Sequence, residues 1–454
     1  MTDAAGTGPP RPPARRPPFA AALAAVAVAA VVLRLAFVAV VDPQVPEIGD
    51  ASAYRLLAVN LAEGAGYVRP FDELLLGVRR PTAEYPPLFP ALLAIPSALG
   101  AESTHAHRVV LAFVGGGTVV LLGLLGRRIG GRRVGIVAAA LGAAYPMLIL
   151  PEATGMAEAL YAPLVVVVLL AAQRAIARPS LPAFAALGAA AGAAALTRAE
   201  GLFLGAAVAL ACGVAARGGI APARRVALVA AAAAVMVGCV APWTIRNAVR
   251  LHAFVPVSTN YATLLDGANC DATYAGEQLG QWRETFSSHG DAARDLPQAQ
   301  ACFEGFDVAD PAFDEAEAAA HHRDDGLAYA RAHAGALPKV MAVRVARTFG
   351  VFAPRQQVDF ESLEGRPRAW QMAGTVAFWV LAPLAGAGFV LARRRGAAVA
   401  PLVVTLAVVA AVAAATYGQQ RFRIAAEPAV LVGAAVTLVA AARAGMAGPA
   451  RPGR

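Results

Sequence analysis

Residues 19–41 read FAAALAAVAVAAVVLRLAFVAVV, an apolar run interrupted by a single charged residue, Arg34. A transmembrane helix needs about 20 predominantly apolar residues to cross the hydrocarbon core of a bilayer. The run follows a head rich in Pro and Arg, and no small-residue cleavage site follows it, so we interpret it as an anchor and not as a signal peptide. Arg34 must snorkel or pair inside the helix bundle, and we expect a structural role for it.

Similar apolar blocks recur along the whole chain. They lie at about 107–126, 132–150, 157–175, 182–198, 200–216, 223–241, 371–392, 398–416 and 426–443. Of the 454 residues, 58% are hydrophobic and only 15% are charged, and the mean hydropathy is +0.56. A soluble protein of this length would need more polar surface. The sequence therefore predicts an all-α polytopic membrane protein with about ten or eleven transmembrane helices.

Arginine clusters lie between these blocks. They are Arg127, Arg128, Arg132 and Arg133; Arg174 and Arg178; Arg217, Arg224 and Arg225; Arg393, Arg394 and Arg395; and Arg443, Arg451 and Arg454. Ten crossings from a cytoplasmic N-terminus place every cluster on the cytoplasmic side, as the positive-inside rule favours. The net charge of +9 then reflects membrane topology, and we expect no nucleic-acid partner. The predicted location is the cell membrane, with multiple passes.

The apolar run 88–99 is harder to place, because it is about half as long as a bilayer crossing requires. It is bounded by Pro86-Pro87 and Gly100. A full crossing would reverse the orientation of every later loop, so we interpret the run as a juxtamembrane or re-entrant helix on the outer face. The sequence leaves open whether it crosses.

These assignments divide the chain into five parts. We expect a disordered basic cytoplasmic head at 1–18, a transmembrane module at 19–241 with its first outer loop at 42–106, an extracytoplasmic loop region at 242–370 after the seventh span, C-terminal transmembrane helices at 371–443, and a cytoplasmic tail at 444–454. Polar residues concentrate in the two long outer segments, so the chemistry is expected on that face. Whether Cys270 and Cys302 in the second segment form a disulfide is left open.

Carboxylates at helix starts are the first candidates for chemistry. Asp50 and Tyr54 are four residues apart, so they share one face of a short helix that begins near Asp50. Asp50 could act in the reaction or could simply cap that helix, where a carboxylate is electrostatically favoured. Glu158 begins an apolar helix near the outer edge of the bilayer and should face the bundle interior or water, for function or for capping.

Further candidates are a proline-rich segment and three outer-face arginines. Glu84 and Tyr85 precede Pro86-Pro87, which stiffen the loop. Arg198, Arg246 and Arg421 are predicted on the face where arginine is disfavoured, and a guanidinium group matches phosphate by bidentate hydrogen bonding. Each arginine could instead form an internal salt bridge, for example Arg198 with Glu200.

The order of these motifs is similar to a known family. Asp50 with Tyr54 and Leu61-Ala62-Glu63-Gly64, then Glu84-Tyr85-Pro86-Pro87-Leu88, Glu158-Ala159-Leu160, Thr197-Arg198-Ala199-Glu200 and Pro242-Trp243-Thr244-Ile245-Arg246-Asn247 occur in sequence. This set resembles bacterial GT-C glycosyltransferases of the protein O-mannosyltransferase and aminoarabinose-transferase type. The resemblance covers roughly residues 20–270 and recurs at Tyr417 to Glu427.

The resemblance implies a polyprenyl-phosphate sugar donor and a catalytic aspartate in the first loop. Asp50 matches that aspartate, and Glu158 matches the acidic residue that opens the fourth span; both are expected to be catalytic. Tyr54, Glu84, Tyr85, Arg198, Arg246 and Arg421 are expected to bind substrate. Tyr85 stands where aminoarabinose transferases tend to carry Lys, and the paired acidic residues of some metal-dependent relatives are not evident around Asp50. No cofactor is certain, and a divalent metal ion is left open.

The predicted function is therefore glycosyl transfer in the cell envelope, as hexosyl or pentosyl transfer from a lipid-linked donor. The partners would be the polyprenyl-phosphate sugar, a protein, lipid or glycan acceptor, and membrane lipids. The alternative is a secondary transporter or lipid flippase. Such proteins often show internal repeats and broken helices near the bilayer midplane, whereas this chain shows no long-period repeat and places its polar residues at the outer rim.

Overall fold

A computed structural model describes residues 18–283, Cys302 and residues 313–446. Most of the expected basic head at 1–18 and of the tail at 444–454 lies outside these residues. The described part of the chain is helical, and its one β-type pairing is an isolated bridge between Val68 and Pro81. The predicted all-α class is confirmed.

The α-helices and one 3₁₀-helix follow one another along the chain. In order, they are α1 (Phe19–Val41), α2 (Asp50–Ala62), α3 (Pro70–Leu76), α4 (Leu88–Ser97), α5 (Thr104–Gly130), α6 (Arg132–Ala144), α7 (Pro146–Thr154), α8 (Glu158–Ala177), α9 (Leu181–Ala195), α10 (Gly201–Ala215), α11 (Pro222–Leu251), α12 (Tyr261–Ala268), α13 (Asp271–Tyr274), α14 (Glu315–Ala332), α15 (Leu337–Thr348), α16 (Pro354–Ser362), α17 (Arg368–Arg394), α18 (Ala400–Ala415), the 3₁₀-helix Gln420–Ala425, and α19 (Glu427–Met446).

Membrane-spanning length separates these helices into two groups. Within the described residues, six helices are long and apolar enough to cross a bilayer: α1, α5, α8, α11, α17 and α19. The pair α6 and α7 is bent by 47° and makes a seventh span if the pair counts as one. The other three predicted spans, near 182–198, 200–216 and 398–416, coincide with the shorter apolar helices α9, α10 and α18. The chain is thus a multi-pass membrane protein.

Two boundaries refine the predicted topology. Helix α4 has ten residues, so it rises about 15 Å, half of the hydrocarbon thickness, and is too short to cross as a straight helix. Helix α11 runs on to Leu251, beyond the expected end of the seventh span at residue 241. The motif Pro242–Asn247 therefore lies on the last turns of a long helix and not in a loop.

The bundle is held by close helix contacts at small residues. Helix α5 packs against α1, α6 and α8, and α17 packs against α19. A β-carbon at Gly388 of α17 would collide with the carbonyl group of Gly433 in α19. Small residues permit this approach of two backbones, which is the usual basis of helix association in membranes.

The break between α6 and α7 is stabilised by the intramembrane arginine. Pro146 opens α7 and has no N–H to donate to the carbonyl of Gly142. Arg34 supplies donors instead, to the carbonyl oxygens of Ala143 at 3.1 Å and Gly142 at 3.4 Å. Its Nε atom also pairs with the buried carboxylate of Glu152. The expected structural role of Arg34 agrees with these contacts.

Outside the bundle, shorter helices cover one end of the molecule. Helices α14 and α15 belong to the second outer segment. A disulfide joins Cys270 to Cys302, with their Cα atoms 5.3 Å apart. Helix α15 packs against the 3₁₀-helix Gln420–Ala425, which contributes to the site described next.

A candidate active site at one end of the helix bundle

Asp50 is the first residue of α2, but its carboxylate does not cap that helix. The Tyr85 hydroxyl donates to Oδ1 of Asp50 at 3.0 Å, and Nη1 of Arg421 lies 2.8 Å from Oδ2. Both oxygens are therefore engaged by side chains from distant parts of the chain. The capping interpretation of Asp50 is not supported.

Arg421 is the centre of the site. It lies in the 3₁₀-helix between α18 and α19, where its backbone N–H donates to Glu361 at 3.0 Å. Its Nη1 also lies 2.8 Å from Oε1 of Glu364. Burial alone disfavours the charged guanidinium, yet the surrounding carboxylates, Glu364 and Asp50 foremost among the acids, raise the pKa of Arg421 well above its ordinary value. Arg421 is therefore a permanent cation.

Glu158 is the fully buried anion beneath Arg421. It opens α8, and its Oε1 accepts a hydrogen bond from Nη1 of Arg198 at 2.8 Å. The Nε atom of Arg421 is 3.9 Å from the same oxygen, and Nη2 of Arg366 is 4.0 Å from it. Three guanidinium groups thus surround one carboxylate oxygen. The alternative pair of Arg198 with Glu200 is also present, at 2.5 Å.

Three residues of this site were missed by the sequence analysis: Glu361, Glu364 and Arg366, which precede α17. Nη1 of Arg366 lies 3.1 Å from Glu361, and its Nε lies 3.9 Å from Glu364. They fall outside the motifs that carried the family resemblance. The available signal was three charged residues within six positions immediately before an apolar span.

We call these residues the charged cluster. It comprises the guanidinium groups of Arg198, Arg366 and Arg421 and the carboxyl groups of Asp50, Glu158, Glu200, Glu361 and Glu364. Carboxyl groups exceed guanidinium groups, but burial raises the pKa of Glu364 to about 7, against the opposing effect of Arg421 and Arg366. Near neutral pH this carboxyl is therefore partly protonated, which reduces the excess negative charge.

The cluster retains unused hydrogen-bonding capacity. Among the residues that the structure describes, its buried atoms without a hydrogen-bond partner are Oε2 of Glu158, Glu361 and Glu364, Nε and Nη2 of Arg366, and Nε of Arg421. Glu158, Arg366 and Arg421 line one narrow gap that is too small for a water molecule. Buried polar groups are normally paired, so these unpaired atoms distinguish the charged cluster from an ordinary salt-bridge network.

Arg246 does not join the charged cluster, contrary to the expected set of outer-face arginines. Its guanidinium donates to the carbonyl oxygens of Thr82 at 2.5 Å and Tyr67 at 2.7 Å. It also stacks over the ring of Trp243, 4.8 Å from the centroid. Because Arg246 lies on α11 and its donors are used by backbone, it fixes the loop that carries Glu84 and Tyr85.

The two tyrosines beside Asp50 form an aromatic support. The ring of Tyr54 packs edge-on against Tyr85 at 4.9 Å and against Phe89 at 5.0 Å between centroids. Burial raises the pKa of both tyrosines well above the ordinary value, so both hydroxyls stay protonated. Tyr85 can therefore donate to Asp50 across the physiological pH range.

Glu84 lies on the same loop but faces a different cavity. Its carboxyl group is 3.9 Å from Nη2 of Arg69, and its side chain is one-third exposed. Burial raises the pKa of Glu84 to about 7, while Arg69 opposes that shift.

Among the residues that the structure describes, no group of three or more His, Cys, Asp or Glu side chains is arranged to hold a metal ion.

Comparison with known proteins supports the family resemblance. Residues 84–245 match the model of a family described as dolichyl-phosphate-mannose-protein mannosyltransferase. The matched range contains Glu84, Tyr85, Glu158 and Arg198, whereas Asp50 and Arg421 lie outside it. No curated protein matches the chain as a sequence.

Solved structures extend the similarity to nearly the whole fold. The apo oligosaccharyltransferase of Archaeoglobus fulgidus overlays with a TM-score of 0.50 at 15% identity, covering 96% of this chain and 52% of that one. The same enzyme tethered to an acceptor peptide gives a TM-score of 0.52 at 17% identity, covering 93% and 49%. The chain therefore spans about half the length of these proteins. ArnT from Cupriavidus metallidurans bound to undecaprenyl phosphate scores 0.43 at 17% identity, covering 94% and 79%, which adds nothing to the fold assignment.

Proposed function

We propose that this membrane protein, whose fold and central segment are similar to those of GT-C glycosyltransferases, transfers a sugar from a polyprenyl-phosphate donor to a hydroxyl acceptor at the charged cluster. The observation that carries the proposal is the contact between Asp50 and Arg421. Asp50 is a carboxylate that can accept a proton, and Arg421 belongs to a group of three guanidinium groups, with Arg198 and Arg366, that meet at Glu158 and can bind a phosphate.

The reaction would be a single displacement. The acceptor oxygen attacks the anomeric carbon and forms the new C–O bond, while the bond from that carbon to the phosphate oxygen breaks. The leaving polyprenyl phosphate takes the bonding electron pair, and Asp50 receives the acceptor proton as general base. Such base catalysis contributes about 10²–10⁴-fold to the rate.

Through Arg421, donor binding would decide whether the Asp50 carboxylate is free to accept a proton. In the structure its Nη1 is shared between Asp50 and Glu364, at 2.8 Å from each. A donor phosphate that accepts from Arg421 would replace Asp50 on that guanidinium and free the carboxylate for the acceptor hydroxyl. Arg198 and Arg366 would stabilise the negative charge that develops on the leaving phosphate. Glu158 would hold these guanidinium groups in position.

The test compares Asp50→Asn with the wild type in membranes supplied with polyprenyl-phosphate-linked sugars. We expect kcat to fall by about 10² or more, because an amide cannot accept the proton. Asp324→Asn, an exposed Asp-to-Asn change on α14 with its side chain 66% exposed, is the matched control and should retain activity. Undiminished transfer by a folded Asp50→Asn protein would remove Asp50 from this role.

Binding separates a catalytic defect from misfolding in the same experiment. Asp50→Asn should bind undecaprenyl phosphate at least as tightly as the wild type, since the phosphate no longer competes with a carboxylate for Arg421.

The proposed orientation, with a cytoplasmic N-terminus, is tested with an acceptor that cannot cross membranes. Transfer should occur in right-side-out vesicles, and transfer confined to inverted vesicles would reverse the orientation.

A further inference from the structure

The turn between α15 and α16 exposes two large apolar side chains. Val351 is 70% exposed and Phe352 is 37% exposed, although both lie in the segment 242–370 that was expected to be an extracytoplasmic loop region. Adjacent exposed apolar groups often mark a surface that contacts a membrane or a partner protein. The height of the turn relative to the bilayer decides what it contacts.

The turn lies beside the apolar part of α17. A β-carbon at Gly350 would lie 3.2 Å from Cγ2 of Thr375 and 3.3 Å from Nε1 of Trp379. The rings of Phe349 and Phe378 are 6.0 Å apart between centroids. The turn is therefore in direct contact with a membrane-spanning helix.

The two charged ends of α17 fix the height of this contact. The helix carries no charged residue between Arg368 and Arg393, which are about 38 Å apart along its axis. A hydrocarbon core of about 30 Å must fit between them, because charged side chains are costly inside it. Its boundary then lies at most about 8 Å from Arg368, whereas Thr375 and Trp379 lie about 10 Å and about 16 Å from Arg368. The turn is therefore at a height within the hydrocarbon core.

Helix α18 gives a second measure of this height. Nη1 of Arg344, on the last turns of α15, donates to the carbonyl oxygen of Ala414 at 3.2 Å. Ala414 lies about 21 Å along α18 from Ala400, which follows the arginines at the end of α17. Trp379 lies about 21 Å along α17 from Arg393. Both helices place the end of α15 at the same distance from the basic end of the bundle.

The backbone of the turn is suited to an apolar environment. In hydrocarbon, backbone polar groups must be paired within the protein. The four N–H groups of residues 349–352 all donate to carbonyl oxygens of α15, at 2.8 to 3.3 Å. Helix α16 then opens with Pro354, which has no N–H group. These donors of the turn need no water.

The arginines near the turn fit the same placement. Arg344 and Arg347 are only 2% and 0% exposed, so the end of α15 presents no charge at its surface. Arg347 donates to Gln356 at 2.9 Å and so joins α15 to α16. Arg355 is exposed and forms no ion pair with the described residues. Arginine can keep its apolar stem in the bilayer while its guanidinium reaches the polar interface, where lipid phosphates lie.

We propose that the turn 349–353 is embedded in the leaflet on the side of the charged cluster, with Val351 and Phe352 among the acyl chains and Arg355 at the lipid phosphates. Helices α15 and α16 then form a re-entrant hairpin. At the far end of α16, Glu361 accepts from the backbone N–H of Arg421 at 3.0 Å. This short helix would thus hold the charged cluster at a fixed height above the acyl chains.

The test measures the collisions of spin labels with oxygen and with a water-soluble nickel complex, on the full-length protein in lipid nanodiscs. Cys239→Ala provides the background, because Cys212 is buried and the other two cysteines are paired. Oxygen dissolves preferentially in hydrocarbon and the nickel complex in water. We therefore expect the oxygen-to-nickel ratio at Val351→Cys to match that at Val380→Cys, an exposed position of α17.

The aqueous control is Ala328→Cys, an exposed position one turn from the exposed Asp324 on α14. Its oxygen-to-nickel ratio should be several-fold lower than that at Val351→Cys. Phe352→Cys repeats the measurement at the neighbouring position, and a label at Arg355→Cys should give an intermediate ratio.

A ratio at Val351→Cys and Phe352→Cys equal to that at Ala328→Cys would place the turn in water and refute the proposal. Labels shielded from both reagents would show that protein covers the turn, which would also refute it. A higher ratio at Arg355→Cys than at Val351→Cys would contradict the placement of Arg355 at the lipid phosphates. None of these results depends on donor binding, so the proposed function stands or fails separately.

Discussion

Asp50 joins two distant parts of the chain, because Tyr85 donates to one of its carboxylate oxygens and Arg421 pairs with the other. The four-residue spacing from Tyr54 predicts a shared helix face, and both residues do lie on α2 beside Tyr85. The spacing could not decide between a helix cap and a reactive carboxylate. The decisive partner, Arg421, is separated from Asp50 by 371 positions, a pairing that depends on the packing of the whole bundle.

The arginines show the same limit. Arg198 and Arg421 were expected on one face from their departure from the positive-inside tendency, and both belong to the charged cluster. Arg246 met the same criterion, but its donors are taken by the carbonyl groups of Thr82 and Tyr67. Arg366 was missed because composition does not tell a buried guanidinium from a surface one.

Glu364 gives a prediction at the residue scale. Burial raises its folded pKa to about 7 from the ordinary 4.5, so the folded state binds more protons than the unfolded state between these values. The contribution of this carboxyl group to the free energy of unfolding is therefore complete below pH 4.5 and is lost as the pH rises towards 7. We expect the thermal midpoint of the detergent-solubilised protein to fall less between pH 5 and 8 in Glu364→Gln than in the wild type.

The control for this pH comparison is Glu63→Gln, an exposed carboxyl-to-amide change, which should follow the wild-type pH profile. If the thermal midpoint falls by the same amount in Glu364→Gln and in the wild type between pH 5 and 8, Glu364 does not titrate in the predicted window.

At the scale of elements, hydropathy located the apolar segments well but not their lengths. All ten predicted spans coincide with helices, yet α9, α10 and α18 have only 15 or 16 residues. The hydropathy pattern could not show that the apolar block at 132–150 is two helices bent by 47° at Tyr145-Pro146. At the bend, Arg34 donates to carbonyl groups more than a hundred residues away along the chain, a contact that local hydropathy does not reveal.

The pair of Arg34 and Glu152 gives a prediction for these elements. Both side chains are almost completely buried, and Gly115 leaves the space they occupy, since a β-carbon there would collide with both groups. Arg34→Met should destabilise the protein by about 3–5 kcal/mol, because it leaves a buried carboxylate uncompensated. Thermal unfolding in detergent measures the change.

The double variant Arg34→Met with Glu152→Gln is the diagnostic control. It should recover most of the lost stability, because replacing both members of a buried pair is often nearly neutral. If the double variant is as unstable as Arg34→Met, the hydrogen bonds from Arg34 to the α6 carbonyls dominate and the ion pair does not.

Across the whole molecule, the two ends of the bundle differ in composition. The helix ends that carry Glu158, Arg198, Arg366 and Arg421 meet at the charged cluster. The opposite ends carry the arginine clusters, and they also meet, since Arg217 bonds to the backbone of Ile176 and of Gly396. The loop charges predicted this separation between an end rich in arginine and an end that carries the charged cluster. By the positive-inside rule, it supports the proposed cytoplasmic placement of the arginine-rich, basic end.

The most direct test of the central claim is a cryo-EM structure of the full-length protein with undecaprenyl phosphate. We predict the phosphate within hydrogen-bonding distance of the Arg421 guanidinium, with Asp50 released from it and Tyr85 still donating to Asp50. A phosphate bound away from Arg198, Arg366 and Arg421, or at the basic end of the bundle, would contradict the account.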